Sequence, residues 1–427
     1  MKLKVKAVLD PQFEPMALKV REMRKLTEKN GQEIVIGVER DRGAVTTYRT
    51  RIFPDGTGHD EENFDFVERI VKTMLWVAGG FRIIIAGSPE VGRRIKEAYV
   101  DGGYRDFDLH FMETVYETKF IVDSVPLEDA PCDVSAASPV GRHLDGCRIG
   151  FDAGGSDRKV SAVVNGESVY SEEVVWMPKV NSDPQYHFDG IYAAMKTAAE
   201  KMPRVDAIGV SSAGVYINNK IMVASLFLKV PKEDFEKRVK TMYLDVAKKL
   251  SEELGHEIPI EVANDGDVTA LAGAMDLNDD SVLGVAMGTS EAGGYVDPDG
   301  NITGWLNELA FVPVDFCRNA MVDEWSGDYG CGVKYFSQDG VIKLAPAAGI
   351  ELDPGLTPAE KLKVVQKLMA EGDERAAKIY DTIGCYFGYA IGYYAEFYSM
   401  KHVLIMGRVT SGKGGEILLA RAQEVLD

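Results

Sequence analysis

The chain has few thiols, a minority of cations and no long uninterrupted apolar run. Cys132, Cys147, Cys317, Cys331 and Cys385 are its only five cysteines, odd in number, scattered, and never spaced as Cys-x-x-Cys. That excludes a disulfide framework and suits thiols kept reduced in the cytosol. Basic residues number 48 against 67 acidic ones, a formal net charge of −19. A field of that sign argues against nucleic acid and anionic membrane as primary partners. It leaves room for an anionic nucleotide, because local glycine loops and magnesium override net charge. The start, Met1-Lys2-Leu3-Lys4-Val5-Lys6, alternates charge with apolar residues and lacks the apolar stretch of a signal peptide. The most apolar helix candidate, Ile379 to Met400, carries Glu396, many aromatics and three glycines, so it reads as a buried helix and not a membrane span. A cytoplasmic protein is expected.

What is present is enough apolar residue, 45% of 427, for more than one core, and a length that suggests roughly two to four domains. The chain is organised around Arg148-Ile149-Gly150-Phe151-Asp152-Ala153-Gly154-Gly155-Ser156. An apolar strand delivers one carboxylate, two glycines and a hydroxyl into a tight turn, and Val160–Val164 returns as a second strand. Glycines let backbone N–H groups approach a polyphosphate closely, and a carboxylate beside them can hold a hydrated divalent cation. An ordinary Asp-Gly hairpin would read the same way.

In chain order, residues 1–31 are polar with one basic helix near Ala17–Glu28. Glu33–Glu39 and Ala44–Phe53 read as a hairpin closed at Asp41-Arg42-Gly43. A helix carrying Phe64, Val67, Ile70, Val71, Met74 and Leu75 on one face follows, then a strand over Phe81–Gly87 and a helix from Val91. From Gly102 to Asp145 the pattern is irregular and ends in a linker-like stretch, Asp129–Arg142. After Asp152 the same order of strand, strand, helix, strand recurs to Val210, so residues 1–146 form an α/β domain that reads as a degenerate repeat. In that copy Arg40 and Arg42 stand where a phosphate turn needs glycine.

The remaining chemistry sits at strand ends. Ile258–Val262 runs into Ala263-Asn264-Asp265-Gly266-Asp267 and an alanine-rich helix, so a carboxylate falls at a helix N-terminus, where Asn and Asp also serve as plain caps. Val282–Met287 enters Gly288-Thr289-Ser290-Glu291-Ala292-Gly293-Gly294, a second glycine-and-hydroxyl turn. His402–Met406 runs into Gly407. Gly384, Gly388 and Gly392 recur every four residues, a stripe that lets another helix or strand pack closely.

In order and spacing these elements resemble the actin/sugar-kinase superfamily, and from about residue 148 onward the ROK family of sugar kinases and sugar-responsive repressors. The resemblance implies an α/β, actin/hexokinase-like (RNase H-like) two-lobe ATPase fold with an additional N-terminal α/β domain, divided at 1–146, 147–262 and 263–427. It implies nucleotide binding by Asp152, Gly154, Gly155, Ser156, Gly288, Thr289 and Gly407, with ATP and Mg2+ as cofactors and Asp152 beside the metal. The family's Asn-Asp element matches Asn264, a sugar ligand, and Asp265, the general base. Its first-loop lysine finds only Lys159, with two residues between it and Ser156 instead of one. Its Gly-Glu-Ile-Gly-His element appears as Asn307-Glu308-Leu309-Ala310-Phe311: the sugar-binding glutamate stays as Glu308 and the histidine is replaced by Phe311. With only Cys317 and Cys331 nearby, the family's structural zinc lacks its four ligands. The end at Asp427 comes sooner than the resemblance leads one to expect.

The expected function is therefore ATP-dependent phosphorylation of a sugar hydroxyl, with a sugar and a nucleotide as partners, further copies of the chain, and neither nucleic acid nor membrane. Two alternatives stand beside it. One is a non-catalytic sugar or nucleotide sensor that keeps the fold, and the other a superfamily ATPase coupled to a partner protein.

Overall fold

The computed structural model describes residues 3–137 and 140–427, which pack as two compact units. One holds the chain up to Ala137 together with Ser281–Gly293 and Thr303–Asp427. The other holds the residues from there to Asp280 and Gly294–Ile302. These units are drawn at other places than 146 and 262, because the N-terminal segment shares a core with the C-terminal one. Of the expected linker, Ser138 and Pro139 lie outside the described residues, as do Met1 and Lys2 of the expected start.

The N-terminal segment runs α1 (Met16–Thr27), β1 (Gln32–Glu39), β2 (Val45–Ile52), α2 (Asp60–Val77), β3 (Arg82–Ala86), α3 (Pro89–Ala98), α4 (Asp106–Tyr116) and β4 (Ile121–Val125). Its sheet has the order β2-β1-β3-β4. Helix α2 carries an apolar face and a polar one, yet both are buried, from Phe66 to Val77 without a break. The polar face is buried because it pairs: Arg69 holds Asp328 through both guanidinium nitrogens at 2.9 and 3.0 Å, and Lys72 reaches Asp108 and Asp328 at 3.1 and 3.0 Å. Arg105 joins Glu68 and Asp328, so three cations meet three carboxylates out of contact with water. Helix α4 and strand β4 fall in the stretch read as irregular. Their charged residues break the apolar period, but Leu109, Met112, Val115 and Tyr116 still share one buried face.

The expected repeat of the first lobe is not what the chain forms. Strand β1 pairs with β3 antiparallel, Ile36 opposite Ile85, whereas a repeat of the later segment requires a parallel pair. Arg40 fills no turn: its buried guanidinium donates to the carbonyls of Thr303 and Gly304 at 3.0 and 3.2 Å.

The second unit comprises β5 (Cys147–Ala153), β6 (Asp157–Val164), β7 (Glu167–Val175), α5 (Pro184–Ala199), β8 (Ala207–Ser212), β9 (Val215–Ile217), β10 (Lys220–Val223), the single turn α6 (Lys232–Asp234), α7 (Met242–Leu254), β11 (Ile260–Asn264) and α8 (Asp265–Leu277). The sheet order is β11-β8-β5-β6-β7, an antiparallel meander with β8 and β11 added parallel to β5. Alternate residues of β5, namely Cys147, Ile149, Phe151 and Ala153, are buried in one cluster with Ile191 and Met195 of α5 and Met242 and Val246 of α7. The intervening residues Arg148, Gly150 and Asp152 face the other way, as strand alternation dictates.

The first unit resumes with β12 (Val282–Met287) and β13 (Glu291–Val296), through which the chain passes back to the second. It then continues as α9 (Gln338–Leu344), α10 (Pro358–Ala370), α11 (Glu374–Tyr394), β14 (His402–Met406) and α12 (Lys413–Leu426). Strands β13, β12 and β14 form a sheet, with β14 parallel to β12. Two glycines of the stripe on α11 do what its spacing predicts, and Gly392 does not: a methyl group on Gly384 or Gly388 would come within 2.4 Å of Leu418 O or 2.7 Å of Ala422 O, so α12 lies against bare backbone there. The segment read as a buried helix at Ile379–Met400 is the latter part of α11 and its exit. No helix of the described residues is long and apolar enough to cross a membrane.

Candidate functional site

Three parallel strand ends build the candidate site on the second unit. In register, Ala153 of β5 lies opposite Ser212 of β8, and Ser212 lies opposite Asn264 of β11. Neighbouring strands sit about 4.8 Å apart, so residues far apart in sequence are brought within roughly 10 Å of one another. Asp152 is half-buried and has neither a hydrogen bond nor an ion pair among the described residues.

The turn after β5 is held from beneath. The indole nitrogen of Trp176 donates to Gly154 O at 2.8 Å and Asp157 O at 3.0 Å, and the Trp176 amide donates to Ser156 O at 3.1 Å. Gly155 and Ser156 are exposed, and their amides make no backbone hydrogen bond among the described residues. The Ser156 hydroxyl donates to Asp157 Oδ2 at 3.0 Å, and Lys159 pairs with Asp157 Oδ1 at 3.5 Å. Lys159 is thus tied to the next strand's first carboxylate.

Asn264 and Asp265 fall where β11 becomes α8, and the cap reading holds for the first of them. Asn264 Oδ1 accepts from Gly266 N at 2.7 Å and its Nδ2 donates to Gly214 O at 2.8 Å. One amide proton and one lone pair of Asn264 are left for a ligand. Asp265 Oδ1 accepts from Gly266 N at 3.0 Å, which leaves Oδ2 for other work. Asp265 stays accessible to solvent, so its desolvation is partial. That desolvation still raises its carboxyl above the ordinary 3.8; the Gly266 N–H opposes the rise and the nearby Asp152 carboxylate adds to it. Asp267 is buried and accepts from Tyr295 N at 3.0 Å, a structural role.

Sequence reading missed the turn Ser212-Ala213-Gly214, the third member of this row. Gly214 has φ +139 and takes the Asn264 amide on its carbonyl, while Tyr243 donates to Ser212 Oγ at 3.2 Å. A Ser-Ser-Ala-Gly run closing an apolar strand was its available signal. The outer face of the same sheet floors a cavity of about 780 Å3, lined among others by Gly150, Ser161, Gly209 and Leu271. Asp152, Ser211 and Ala263 also line it, so the cavity reaches the first carboxylate of this row, while Asn264 and Asp265 lie outside its lining.

On the first unit the expected phosphate and nucleoside elements also lie at parallel strand ends. Strands β12 and β14 are in register at Ala286 and Met406, so the turns at Gly288 and Gly407 are neighbours. Gly407 has φ +105, and a Cβ there would meet Met287 O at 2.3 Å, so only glycine fits. Gly288 is pinned through its carbonyl by Gln338 N at 2.9 Å, and Thr289 and Ser290 are exposed.

The Glu308 segment is fixed to the C-terminal end of α2. Asn307 N and Glu308 N donate to Val77 O and Trp76 O at 3.0 and 2.9 Å, the last carbonyls of that helix. Phe311 is buried, 4.1 Å from the Trp76 ring and close to Phe107 and Trp325. Where the family histidine would reach toward sugar, this side chain is part of an aromatic core. Cys331 is fully buried beside the α2 ion network, and desolvation pushes its thiol up to about 12. Neither Cys317 nor Cys331 belongs to a metal-capable cluster; among the described residues only Asp101, Asp106 and His110 form one. The ion network and the aromatic core hold this segment together.

The donor set fits a magnesium nucleotide. On the second unit Asp152 offers an unpaired carboxylate and the turn after it offers amides without partners.

An α/β unit with sheet order β11-β8-β5-β6-β7, carrying the candidate residues at parallel strand ends, is the actin/hexokinase-like ATPase fold. Among solved structures, the chain matches the ROK hexokinase from Thermus thermophilus at 17% identity, over 66% of this chain and 89% of that one, with a TM-score of 0.51. It also matches a ROK family transcriptional regulator that is a homolog of the E. coli MLC protein (18%, 66% and 70%, TM-score 0.49). A ROK family glucokinase from Streptomyces griseus, solved with glucose and AMPPNP, matches at 19%, over 66% and 88%, with a TM-score of 0.44. No protein-family model and no curated protein sequence matches the chain. The fold is thus that of the ROK sugar kinases.

Proposed function

We propose that this protein is an ATP-dependent sugar kinase that transfers the γ-phosphoryl group to a sugar hydroxyl. The observation that carries this reading is the in-register row of Ala153, Ser212 and Asn264, which sets Asp152, the Ser212–Gly214 turn and Asp265 at neighbouring strand ends. Asp265 Oδ2 accepts the hydroxyl proton as the oxygen attacks phosphorus, general-base work that needs a fixed, ionised carboxylate. The capped α8 N-terminus fixes it, and the helix dipole favours the anion. Asn264 orients the sugar with its remaining proton and lone pair, and Glu308 on the other unit keeps the sugar-ligand role that the resemblance gives it. The amides of Gly155 and Ser156 hold phosphate on this unit, and on the other unit Gly288, Thr289 and Gly407 keep the nucleotide-binding roles that the resemblance gives them. Magnesium beside Asp152 supplies charge neutralisation on the transferring phosphoryl group.

A sensor that binds without turnover is the second reading, favoured by one observation: Phe311 is committed to the aromatic core and offers no polar atom to a sugar. A coupled ADP-release assay over hexoses, amino sugars and polyols, with a no-sugar control, separates the readings. Sugar-dependent ADP release is the expected result. Release without sugar marks a partner-coupled ATPase, and silence throughout with sugar binding intact marks the sensor.

A further inference from the structure

The first phosphate turn lacks a lysine in the place where one is expected, since Lys159 is spent on Asp157. A different lysine occupies the turn. A Cβ placed on Gly155 would lie 2.7 Å from Lys179 Cε and 2.9 Å from Lys179 Nζ, so the lysine stem crosses the turn where any side chain at 155 would stand. Among the described residues the Lys179 ammonium has neither an ion pair nor a hydrogen bond. In a chain of net charge −19, a cation without a carboxylate partner beside two unpartnered amides marks a locally positive spot.

The lysine is not on a loose loop. It belongs to a short strap that leaves β7 at Trp176, whose indole and amide are bonded to the turn itself. A 3-10 turn over Pro178–Val180 follows, closed by Asn181 N on Pro178 O at 3.2 Å. Beneath it the fully buried His187 sets one ring nitrogen 3.1 Å from Pro178 O and the other 2.9 Å from Asp183 O. Met177 N donates to the Tyr186 phenol oxygen at 3.0 Å. The strap is therefore bonded to α5 on one side and to the phosphate turn on the other, with Lys179 between them.

We infer that Lys179 is the cation of the first phosphate turn, binding the terminal phosphates of a linear polyphosphate chain together with the Gly155 and Ser156 amides. For nucleotide this deepens the kinase reading and rests on it; the shared chemistry belongs equally to inorganic polyphosphate. Lys179 is exposed, so folding does not depend on it. The test is isothermal calorimetry of the full chain with inorganic tripolyphosphate and, separately, with magnesium ATP, on the wild type, Lys179→Met and Lys179→Arg. A hydrogen bond to a charged group corresponds to about a ten- to hundredfold change in affinity. Lys179→Met is expected to weaken both ligands by that order, with an unchanged unfolding midpoint, and Lys179→Arg to restore them within a few-fold. Tripolyphosphate bound equally well by Lys179→Met overturns the assignment. If the wild type binds tripolyphosphate through Lys179 but not ATP, the assignment stands and the nucleotide reading falls. If the wild type binds neither, both fall.

Discussion

Replacing Asp265 by asparagine removes one charge and almost no volume, at a position whose structural duties can be counted. The helix cap belongs to Asn264, which accepts from Gly266 N at 2.7 Å, so the cap survives the change. The contact of Asp265 Oδ1 with Gly266 N at 3.0 Å can be kept by an amide oxygen, and repulsion from Asp152 disappears. Stability should therefore move by no more than about 0.5 kcal/mol, the range for accessible positions without a special role. Turnover should fall by about a hundred- to ten-thousandfold, the usual contribution of a general base. The wild-type carboxyl is raised above 3.8, so the acid limb of kcat/KM should lie above pH 3.8, where the base takes up its proton. In the variant that limb should vanish. Coupled ADP release, calorimetric affinities for nucleotide and sugar, and a melting curve measure these quantities on one preparation. Turnover within a few-fold of wild type would refute the assignment, and a variant that fails to fold would make Asp265 a structural cap.

Other residues give further expected outcomes. Burial pushes Glu291 up to about 8, offset only by the Tyr394 hydroxyl, so the folded state loses stability as pH rises from 4.5 to about 8; Glu291→Gln should flatten that dependence in melting curves, and parallel curves would contradict it. Asp328→Asn removes the carboxylate that Arg69, Lys72 and Arg105 share, leaving three buried cations on Glu68 and Asp108, and should cost about 3–5 kcal/mol in denaturant unfolding, the range for breaking a buried ion pair; a loss below 1 kcal/mol, about that of a surface pair, would refute the buried network. Gly392→Ala, with its nearest neighbour 3.8 Å away, should stabilise α11 by up to about 1 kcal/mol through helix propensity. Gly388→Ala, facing Ala422 O at 2.7 Å and Val425 Cβ at 2.5 Å, should destabilise instead, and equal effects of the two would show that the stripe is not a packing face.

The strands that carry the candidate residues were legible because their signals are local. A strand running into Asp-x-Gly-Gly, another into Asn-Asp and two into glycine turns need only strand period and turn chemistry, and β5, β11, β12 and β14 lie where those patterns placed them. Helix α4 was missed because Asp106, Asp108, His110 and Glu113 interrupt the apolar period that marks a helix. The repeat was misread for a different reason. Strand and helix order is written along the chain, but whether β3 runs parallel or antiparallel to β1 is set by how α2 packs, and hydrophobic pattern is the same in both cases.

The sequence by itself determined which residues stand at strand ends, which turns must be glycine, and that the chain is an acidic protein without a disulfide framework, because each follows from residues adjacent in the chain. Only the tertiary structure decided that Ala153, Ser212 and Asn264 lie in one row, because register joins strands more than fifty residues apart. Tertiary structure alone also decided that Lys179 and not Lys159 crosses the turn after β5, and that the first third of the chain carries the Glu308 segment on α2. Those contacts span from about twenty to more than two hundred residues of sequence, and no local pattern records which of many possible partners a buried charge or an anchoring carbonyl will meet.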